Sequence, residues 1–256
     1  MELVSIIMPS YNCGRYVAES IRSIQAQTYQ NWELLFVDDR STDDTMTRVM
    51  AIKEKDRRIQ VYQNAQNSGA AVSRNLALRH AKGRWIAFLD SDDLWEPTKL
   101  EEQLAFMQKH GYAFSYTDYD EIDAASQPTG VYVSGPKHVT KAGMFAFCWP
   151  GCLTVMYDSN QVGLVQIADI KKNNDYAMWL KVCQKADCYL LDKCLAQYRR
   201  GRTGSISSHS YLTMITWHYR LFHEAEGMNP VFSVLMTMVN LVFGVYKKMI
   251  YVKERV

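Results

Sequence analysis

The stretch Trp85-Ile86-Ala87-Phe88-Leu89-Asp90-Ser91-Asp92-Asp93 decides the fold class, because an apolar strand pattern runs directly into a cluster of carboxylates. The arrangement occurs twice before it: residues 4–9 lead into Ser10-Tyr11-Asn12, and residues 32–37 lead into Asp38-Asp39. Helical patterns separate these strands. This order predicts an α/β fold with a mostly parallel central sheet flanked by helices. Ligands bind outside the carboxyl ends of such strands, so the three polar clusters are expected to form one site.

The remaining patterns extend this order along the chain. In the first half we expect a strand at 59–62 and a helix at 16–27. A second helix is expected to begin at the N-cap candidates 41–44 and to run through residue 50 or beyond, and a third at 70–81 is expected to end at Lys82-Gly83. In the second half we expect a strand at 114–117 and a polar loop or hairpin at 118–130. The segment 143–156 is expected to line an acceptor cleft. A helix at 175–185, an edge strand at 189–191 and a Gly/Ser/Arg-rich loop at 199–208 are expected to follow.

Composition excludes several classes of protein. Hydrophobic residues make up 48% of the 256 residues and charged residues 22%, which is typical of a packed globular chain rather than a disordered one. The formal net charge is +2 without a Lys/Arg block, so no nucleic-acid partner is expected. Six cysteines without a CxxC pair predict reduced thiols in a cytoplasmic protein. The N-terminal residues lack signal-peptide features, which also predicts action on the cytoplasmic side.

The acid cluster at residues 90–93 predicts a divalent cation site. Carboxylates at a strand end repel one another unless a cation lies between them, and hard oxygen ligands suit Mg²⁺ or Mn²⁺ bound together with phosphate oxygens. The alternative is an acidic turn in which Asp92 or Asp93 caps the helix after Pro97. The position of the cluster directly after an apolar strand favours the metal site.

Four other features are candidates for binding or catalysis, each with a structural alternative. Asp39 is suited to bind a nucleoside, or it belongs to a turn. Arg74 faces a phosphate-bearing ligand, or it is an exposed helical arginine. Asp175 opens a helix, which suits a general base or a simple N-cap. The basic segment 198–207 folds over a diphosphate, or it is a solvated loop.

The C-terminal segment differs in character from the rest of the chain. Residues 231–246 carry no charge, and their polar or small positions, Ser233, Thr237, Asn240 and Gly244, fall on one helical face. Basic residues follow. This pattern predicts a helix in a membrane interface, with the basic residues near anionic lipid headgroups. The alternatives are packing on the catalytic domain or in a homodimer.

Together these motifs resemble the family 2 glycosyltransferases, which have the GT-A fold. The resemblance covers about residues 1–208 and rests on motifs at residues 4–12, 23–28, 37–43, 67–69, 73–75, 90–93, 174–175 and 179–180. It implies a catalytic domain over residues 1–210, in which 1–100 form a Rossmann-like half that binds the nucleotide sugar and 101–210 bind the acceptor. Residues 211–256 are then a helical extension that associates with the inner face of a bacterial membrane or packs on the protein.

The resemblance also implies roles for individual residues. The implied donor-binding residues are Pro9, Ser10 and Tyr11 around the nucleoside, Asp39 on its base (uracil), Arg74 near the nucleotide or phosphates, Asp90 at the ribose or at metal-bound water, and Ser91. Asp92 ligates Mn²⁺ or Mg²⁺. Asp175 is the catalytic base of an inverting displacement. Arg199, Arg202 and Ser205 belong to a lid over the diphosphate. Two positions depart from the family pattern: Asn174 replaces a common Glu, and Arg40 a common Gly.

The resemblance implies transfer of a hexose or N-acetylhexosamine from a UDP-sugar to a saccharide on a polyprenyl diphosphate, in O-antigen, capsule or exopolysaccharide synthesis. Two alternatives use the same residues differently. One is a nucleotidyltransferase, although residues 10–15 fit a phosphate loop poorly. The other is a non-catalytic module that binds a nucleotide sugar.

Overall fold

The computed structural model describes residues 2–201 and 211–254 of the chain. The strands in these residues are β1 (Val4–Ser10), β2 (Trp32–Asp38), β3 (Ile59–Gln63), β4 (Trp85–Phe88), β5 (Leu94–Trp95), β6 (Phe114–Ile122), β7 (Pro128–Val133), β8 (His138–Val139), β9 (Met156–Asp158), β10 (Cys188–Arg199) and β11 (Val252–Glu254). The α-helices are α1 (Gly14–Gln25), α2 (Thr45–Lys53), α3 (Ala70–His80), α4 (Lys99–His110), α5 (Lys141–Ala146), α6 (Ser159–Val162), α7 (Asn174–Val182), α8 (Tyr211–Arg220) and α9 (Pro230–Ile250).

All of these strands join one sheet, and its first half is parallel. The order β3-β2-β1-β4 consists of parallel pairs, as the strand–helix alternation predicts. Ser10 pairs with Asp38, so β1 and β2 end at the same level. The residues of β1 are buried along its whole length, because helices cover both faces of the sheet. The carboxyl ends of these strands therefore form one continuous edge.

The second half of the sheet is mixed. Strands β9, β6 and β7 continue the order through antiparallel pairs, and the region after residue 117 forms a β6–β7 hairpin. The predicted edge strand at 189–191 is wrong in its position. It belongs to the long strand β10, which pairs with β5, β6 and β8 and so lies inside the sheet.

Gly83 does not end helix α3 as predicted. The helix ends at His80, and Ala81 is extended. A Cβ added to Gly83 would lie 2.6 Å from the backbone nitrogen of Ser5 and 2.7 Å from the carbonyl oxygen of Leu3. Glycine is therefore needed where the chain crosses β1, because any side chain would collide with backbone atoms.

Helix α9 packs on the protein through its polar face. Ser233, Thr237 and Asn240 are buried, and the Asn240 amide donates hydrogen bonds to the Tyr176 hydroxyl (2.8 Å) and the Ala146 carbonyl (3.2 Å). The opposite, apolar face is exposed, with Val242 68% and Met249 74% accessible. This 21-residue helix contains an 18-residue window with a mean hydropathy of 1.4, so it is long and apolar enough to cross a membrane by length and composition. Strand β11 then joins the segment to β7.

Candidate active site

A cavity of about 880 Å³ opens at the carboxyl ends of the parallel strands. It brings together most of the residues singled out in the sequence: Pro9, Ser10, Tyr11, Asp39, Arg74, Asp90, Ser91, Asp92 and Asp175. The volume of the cavity and its mixture of apolar and polar walls are typical of a small-molecule site. The positions at the ends of β1, β2 and β4 explain how residues 80 positions apart in sequence meet.

Asp39 organises the loop that precedes helix α3. One oxygen of its buried carboxylate accepts hydrogen bonds from the Asn64 amide (2.7 Å) and the Ser68 backbone N–H (2.8 Å). The other accepts from the Gly69 backbone N–H at 2.7 Å. These three bonds leave acceptor capacity on a group with about four lone-pair positions. Asp39 can therefore hold the loop and still accept a hydrogen bond from a ligand.

The neighbouring residues have structural roles in the same turn. Asp38 is fully buried and accepts hydrogen bonds from the Ser41 backbone N–H and the Gln63 side chain. Arg40 has a φ of +64°, in the left-handed region that glycine adopts without strain. This conformation explains why glycine suits the position that Arg40 occupies.

Arg74 is buried and links the two halves of the site. It is not the exposed helical arginine of the alternative interpretation, because its side chain points into the cavity wall. Its guanidinium donates to Asp90 Oδ1 and to Asn174 Oδ1, both at 2.6 Å. Burial disfavours its charge, but nearby anionic groups, first of all Asp90, more than offset this and raise the pKa of Arg74. Asn174, which stands where a Glu is common, therefore offers Arg74 a hydrogen-bond acceptor without adding a negative charge.

The acid cluster lines the cavity and is largely buried. Asp92 is 8% exposed and Asp93 2% exposed. Neither caps the next helix, because α4 begins after Thr98. Burial, together with the Asp92 and Asp90 carboxylates, raises the pKa of Asp93 well above its ordinary value. Negative charge is therefore costly here and would be relieved by a cation.

Metal binding at this cluster would require ligands beyond the protein. In residues 2–201 and 211–254, no group of three or more His, Cys, Asp or Glu side chains is placed to hold a metal ion. Mg²⁺ and Mn²⁺ are commonly bound by one or two carboxylates, with water and phosphate oxygens completing the coordination. The oxygen chemistry of Asp92 and its neighbours fits a cation shared with a diphosphate.

Asp175 lies in the first turn of helix α7 and faces the cavity half-buried. The N-cap position is Asn173, with a φ of +55°, so Asp175 is not the cap. Its Oδ1 accepts only from the adjacent Tyr176 N–H (2.9 Å) among the described hydrogen bonds. A carboxylate in this position can accept a proton from a bound hydroxyl group.

Arg199 is wrongly placed in a lid by the sequence prediction. It is the last residue of β10 and its side chain is fully buried. The guanidinium donates hydrogen bonds to the Asp92 carbonyl, the Asp123 carbonyl, the Ser126 hydroxyl and the Glu19 carboxylate. It is thus held beneath the acid cluster and cannot close over a ligand. Arg202 and Ser205 lie outside the described residues.

Several cavity residues carry no local sequence signal for a site. The described residues of this kind include Lys171, Lys172, Met214, Trp217 and His218. Cys152, from the region predicted to line an acceptor cleft, is also in the wall, and burial raises the pKa of its thiol well above the ordinary value. Helix α8 contributes the last three residues of the list, so the C-terminal extension helps to build the site.

Comparisons with known proteins agree with this geometry. The family model described as "Glycosyl transferase family 2" matches residues 5–144. TuaG of Bacillus subtilis (strain 168), whose name assigns it to teichuronic acid biosynthesis as a glycosyltransferase, is 41% identical over 229 residues, which are 89% of this chain and 90% of that protein. WfaP of Escherichia coli, named as a UDP-Glc:alpha-D-GlcNAc-diphosphoundecaprenol beta-1,3-glucosyltransferase, is 40% identical over 84% of each chain.

Solved structures share the fold. The crystal structure of S. aureus TarS residues 1–349 in complex with UDP superposes with a TM-score of 0.69 at 22% identity, covering 93% of this chain and 70% of that one. The predicted GT-A fold is therefore confirmed, with its mixed sheet and C-terminal helix. Fold, site and sequence relationship together show that the chain belongs to glycosyl transferase family 2 and is a glycosyltransferase.

Proposed function

We propose that the chain transfers a hexose or an N-acetylhexosamine from a UDP-sugar to a hydroxyl of a saccharide carried on a polyprenyl diphosphate, with inversion. The observation that carries the proposal is the single cavity in which Asp39, the acid cluster and Asp175 meet. The WfaP name supports a UDP-sugar donor and a lipid-diphosphate acceptor. The product would enter a surface polysaccharide such as an O-antigen or capsule.

The reaction assigned to this cavity is a direct displacement. Asp175 accepts the proton of the acceptor hydroxyl as its oxygen forms a bond to the anomeric carbon. The bond from that carbon to the diphosphate oxygen breaks, and UDP leaves with the electron pair. Attack opposite the leaving group inverts the anomeric carbon, and a positioned base of this kind contributes about 10²–10⁴-fold to the rate.

The donor would bind at the nucleotide half of the cavity. Asp39 and the Ser10 hydroxyl, which has no hydrogen-bond partner among the described residues, would contact the nucleoside. A bound Mn²⁺ or Mg²⁺, held by Asp92, would neutralise charge on the departing diphosphate. Arg74 keeps Asp90 and the start of helix α7 in a common geometry through its two hydrogen bonds.

Replacing the base tests this function. Purified wild type, Asp175→Asn and the control Asp169→Asn would be incubated with a panel of UDP-sugars, Mn²⁺ and a synthetic lipid-diphosphate saccharide. Asp169 is exposed and lies outside the described cavity lining. We expect Asp175→Asn to lose at least about 10²-fold in transfer while still binding UDP, and Asp169→Asn to match the wild type. Full activity of Asp175→Asn would refute its role as base.

The same assay separates the alternative functions. A nucleotidyltransferase would consume nucleoside triphosphates, and a non-catalytic module would bind UDP-sugar without acceptor-dependent UDP release. Comparison of the anomeric configuration of donor and product by NMR tests inversion directly. Retention of configuration would contradict the single displacement.

We further propose that helix α9 lies in the surface of a membrane, on the cytoplasmic face where UDP-sugars occur. Its polar face is hydrogen-bonded to the catalytic domain, so a spanning orientation would carry folded protein into the hydrocarbon region. Its exposed apolar face, with the exposed Lys248 near the end, suits an interface containing anionic lipid, whereas the Lys247 ammonium turns inward and donates to the Trp149 carbonyl (2.6 Å).

Substitutions on the exposed face test the membrane assignment without removing packed residues. Val242→Glu with Val245→Glu should weaken flotation with vesicles containing phosphatidylglycerol, whereas Met50→Glu on helix α2 should not. Unchanged flotation of the double variant would contradict the assignment. Conversion of a dimer to a monomer in sedimentation, without any change in flotation, would instead identify the face as a homodimer interface.

A further inference from the structure

One wall of the cavity carries cations that the donor half does not explain. Five carboxylates line the cavity: Asp39, Asp90, Asp92, Asp93 and Asp175. The cationic side chains of the described lining are Arg74, Arg200, Lys171 and Lys172. Arg74 is paired with Asp90 at 2.6 Å, and Arg200 with Glu121 at 2.8 Å. Lys171 and Lys172 come from the chain segment that leads into helix α7 and line the cavity there.

The position of the lysine pair associates it with the base. Lys171 and Lys172 lie immediately before helix α7, three and four residues from Asp175. Because a base must meet the hydroxyl that it deprotonates, the chain segment leading to Asp175 is placed to contact the acceptor. The Asp39 loop and the strand ends that form the nucleotide half belong to other parts of the chain.

Helix α8 holds this segment in place and adds an amphipathic surface. The side chains of Asn173 and His218 lie 3.4 Å apart, and Asn173 has the left-handed backbone that turns the chain into helix α7. On the same helix, Trp217 is half-buried in the cavity wall. Helix α8 continues toward helix α9, whose apolar face is exposed. The C-terminal segment that contains helices α8 and α9 thus supplies both part of the cavity wall and the exposed apolar face of α9.

We infer that Lys171 and Lys172 form a subsite for the diphosphate of the lipid-linked acceptor, beside the base Asp175. The inference rests on the proposed function, because it assigns the acceptor side of that same site. Lys171 is exposed and Lys172 is half-buried, and partial burial lowers the pKa of Lys172. A diphosphate bridge would gain two ammonium contacts there, while its saccharide lies toward Asp175 and its lipid toward helices α8 and α9.

Paired acceptors distinguish diphosphate recognition from recognition of the sugar. The first acceptor is a saccharide diphosphate with a short alkyl chain, and the second is the same saccharide as a neutral alkyl glycoside. Steady-state kinetics would compare the wild type with the double variant Lys171→Gln, Lys172→Gln. The control is Lys137→Gln, Lys141→Gln, because both of its lysines are exposed, lie outside the described cavity lining and carry the same total charge.

We expect the double variant to raise the KM for the diphosphate acceptor at least about tenfold, since two charge-assisted contacts are lost. The KM for the UDP-sugar and kcat/KM for the neutral glycoside should stay within about twofold of the wild type. The advantage of the diphosphate acceptor over the neutral one should fall with added salt in the wild type and be small in the double variant. The control variant should behave as the wild type.

Three results would overturn the inference. An unchanged KM for the diphosphate acceptor would show that the lysines do not bind it. A raised KM for the UDP-sugar would place them on the donor diphosphate instead. An equal loss with both acceptors would indicate a role in shaping the base segment. If the wild type transferred sugar to neither acceptor, the proposed function itself would fail, and this outcome is distinct from the other three.

Discussion

Replacing Arg199 by methionine should strongly destabilise the protein, although the residue does not line the cavity. Methionine fills similar space without the guanidinium, so the variant removes four side-chain hydrogen bonds and leaves the backbone N–H of residue 199 bonded to Asp93 (2.8 Å). The buried Asp92 carbonyl oxygen would lose this donor, whereas the Asp123 carbonyl keeps a hydrogen bond from the Ser126 backbone N–H (3.1 Å). Each buried acceptor left without a partner costs about 1–3 kcal/mol.

The ion pair adds to this cost only partly. Glu19 is 36% exposed, so water can solvate its carboxylate after the substitution. The Arg199 guanidinium also lies 4.6 Å from the centre of the Tyr16 ring, a contact that methionine would replace by weaker packing. Together these losses should lower the free energy of unfolding by about 3–5 kcal/mol, as for removal of one partner of a buried charge network.

Urea denaturation followed by tryptophan fluorescence measures this change. With an m-value of about 2–3 kcal/mol/M, the midpoint should fall by about 1–2.5 M. The control is Arg48→Met, which breaks an exposed pair with Asp44 on helix α2 and should cost less than about 1 kcal/mol. A loss in Arg199→Met no larger than in Arg48→Met would refute the view that Arg199 supports the acid cluster from beneath.

Three further predictions test other parts of the structure. Gly83→Ala should destabilise the protein by about 1–3 kcal/mol in thermal unfolding, because its Cβ would meet the backbone of β1. The control Gly143→Ala should be neutral or stabilising, because its Cβ would lie at an ordinary 3.4 Å from Val139 Cγ1. Asn240→Leu should cost about 1–3 kcal/mol, because the Ala146 carbonyl loses a donor in a buried setting. Chelation of divalent cations should abolish transfer by the wild type, and Asp92→Asn should raise the Mn²⁺ concentration at half-maximal rate more than about tenfold; activity that resists chelation would contradict the metal role.

The parallel half of the fold was predictable because its signals are local. Strands β1, β2 and β4 are buried on both faces, so each reads as a continuous apolar run, and their observed ends lie within one residue of the predicted ones. The polar residues after each strand then converge through the parallel pairing alone. Asp39 and the acid cluster could therefore be assigned to one site from sequence.

Strand β10 shows where local signals end. Its centre contains Asp192 and Lys193, and the burial of its residues alternates irregularly, so this part of the sequence resembles an edge strand. Its partners are β6, β5 and β8, and the nearest of them lies about fifty residues earlier in the chain. Arg199 was misplaced for the same reason, because Arg, Gly and Ser are typical of loops, and its hydrogen-bond partners come from three distant segments, at residues 19, 92 and 123–126.

Sequence by itself determined the alternation of strands and helices in the first half, the polar clusters at the strand ends and which residues of helix α9 share a face, because hydrophobic period and strand–helix alternation are encoded by neighbouring residues. Only the tertiary structure decided which way those faces point. Helix α9 turns its polar side inward because the Asn240 amide donates a hydrogen bond to the buried Tyr176 hydroxyl. Arg199 lies in the interior because groups far from it in sequence accept hydrogen bonds from its guanidinium, and the Glu19 carboxylate neutralises its charge. Burial of a polar side chain depends on partners that meet it in space, and their identity is not written in its own stretch of sequence.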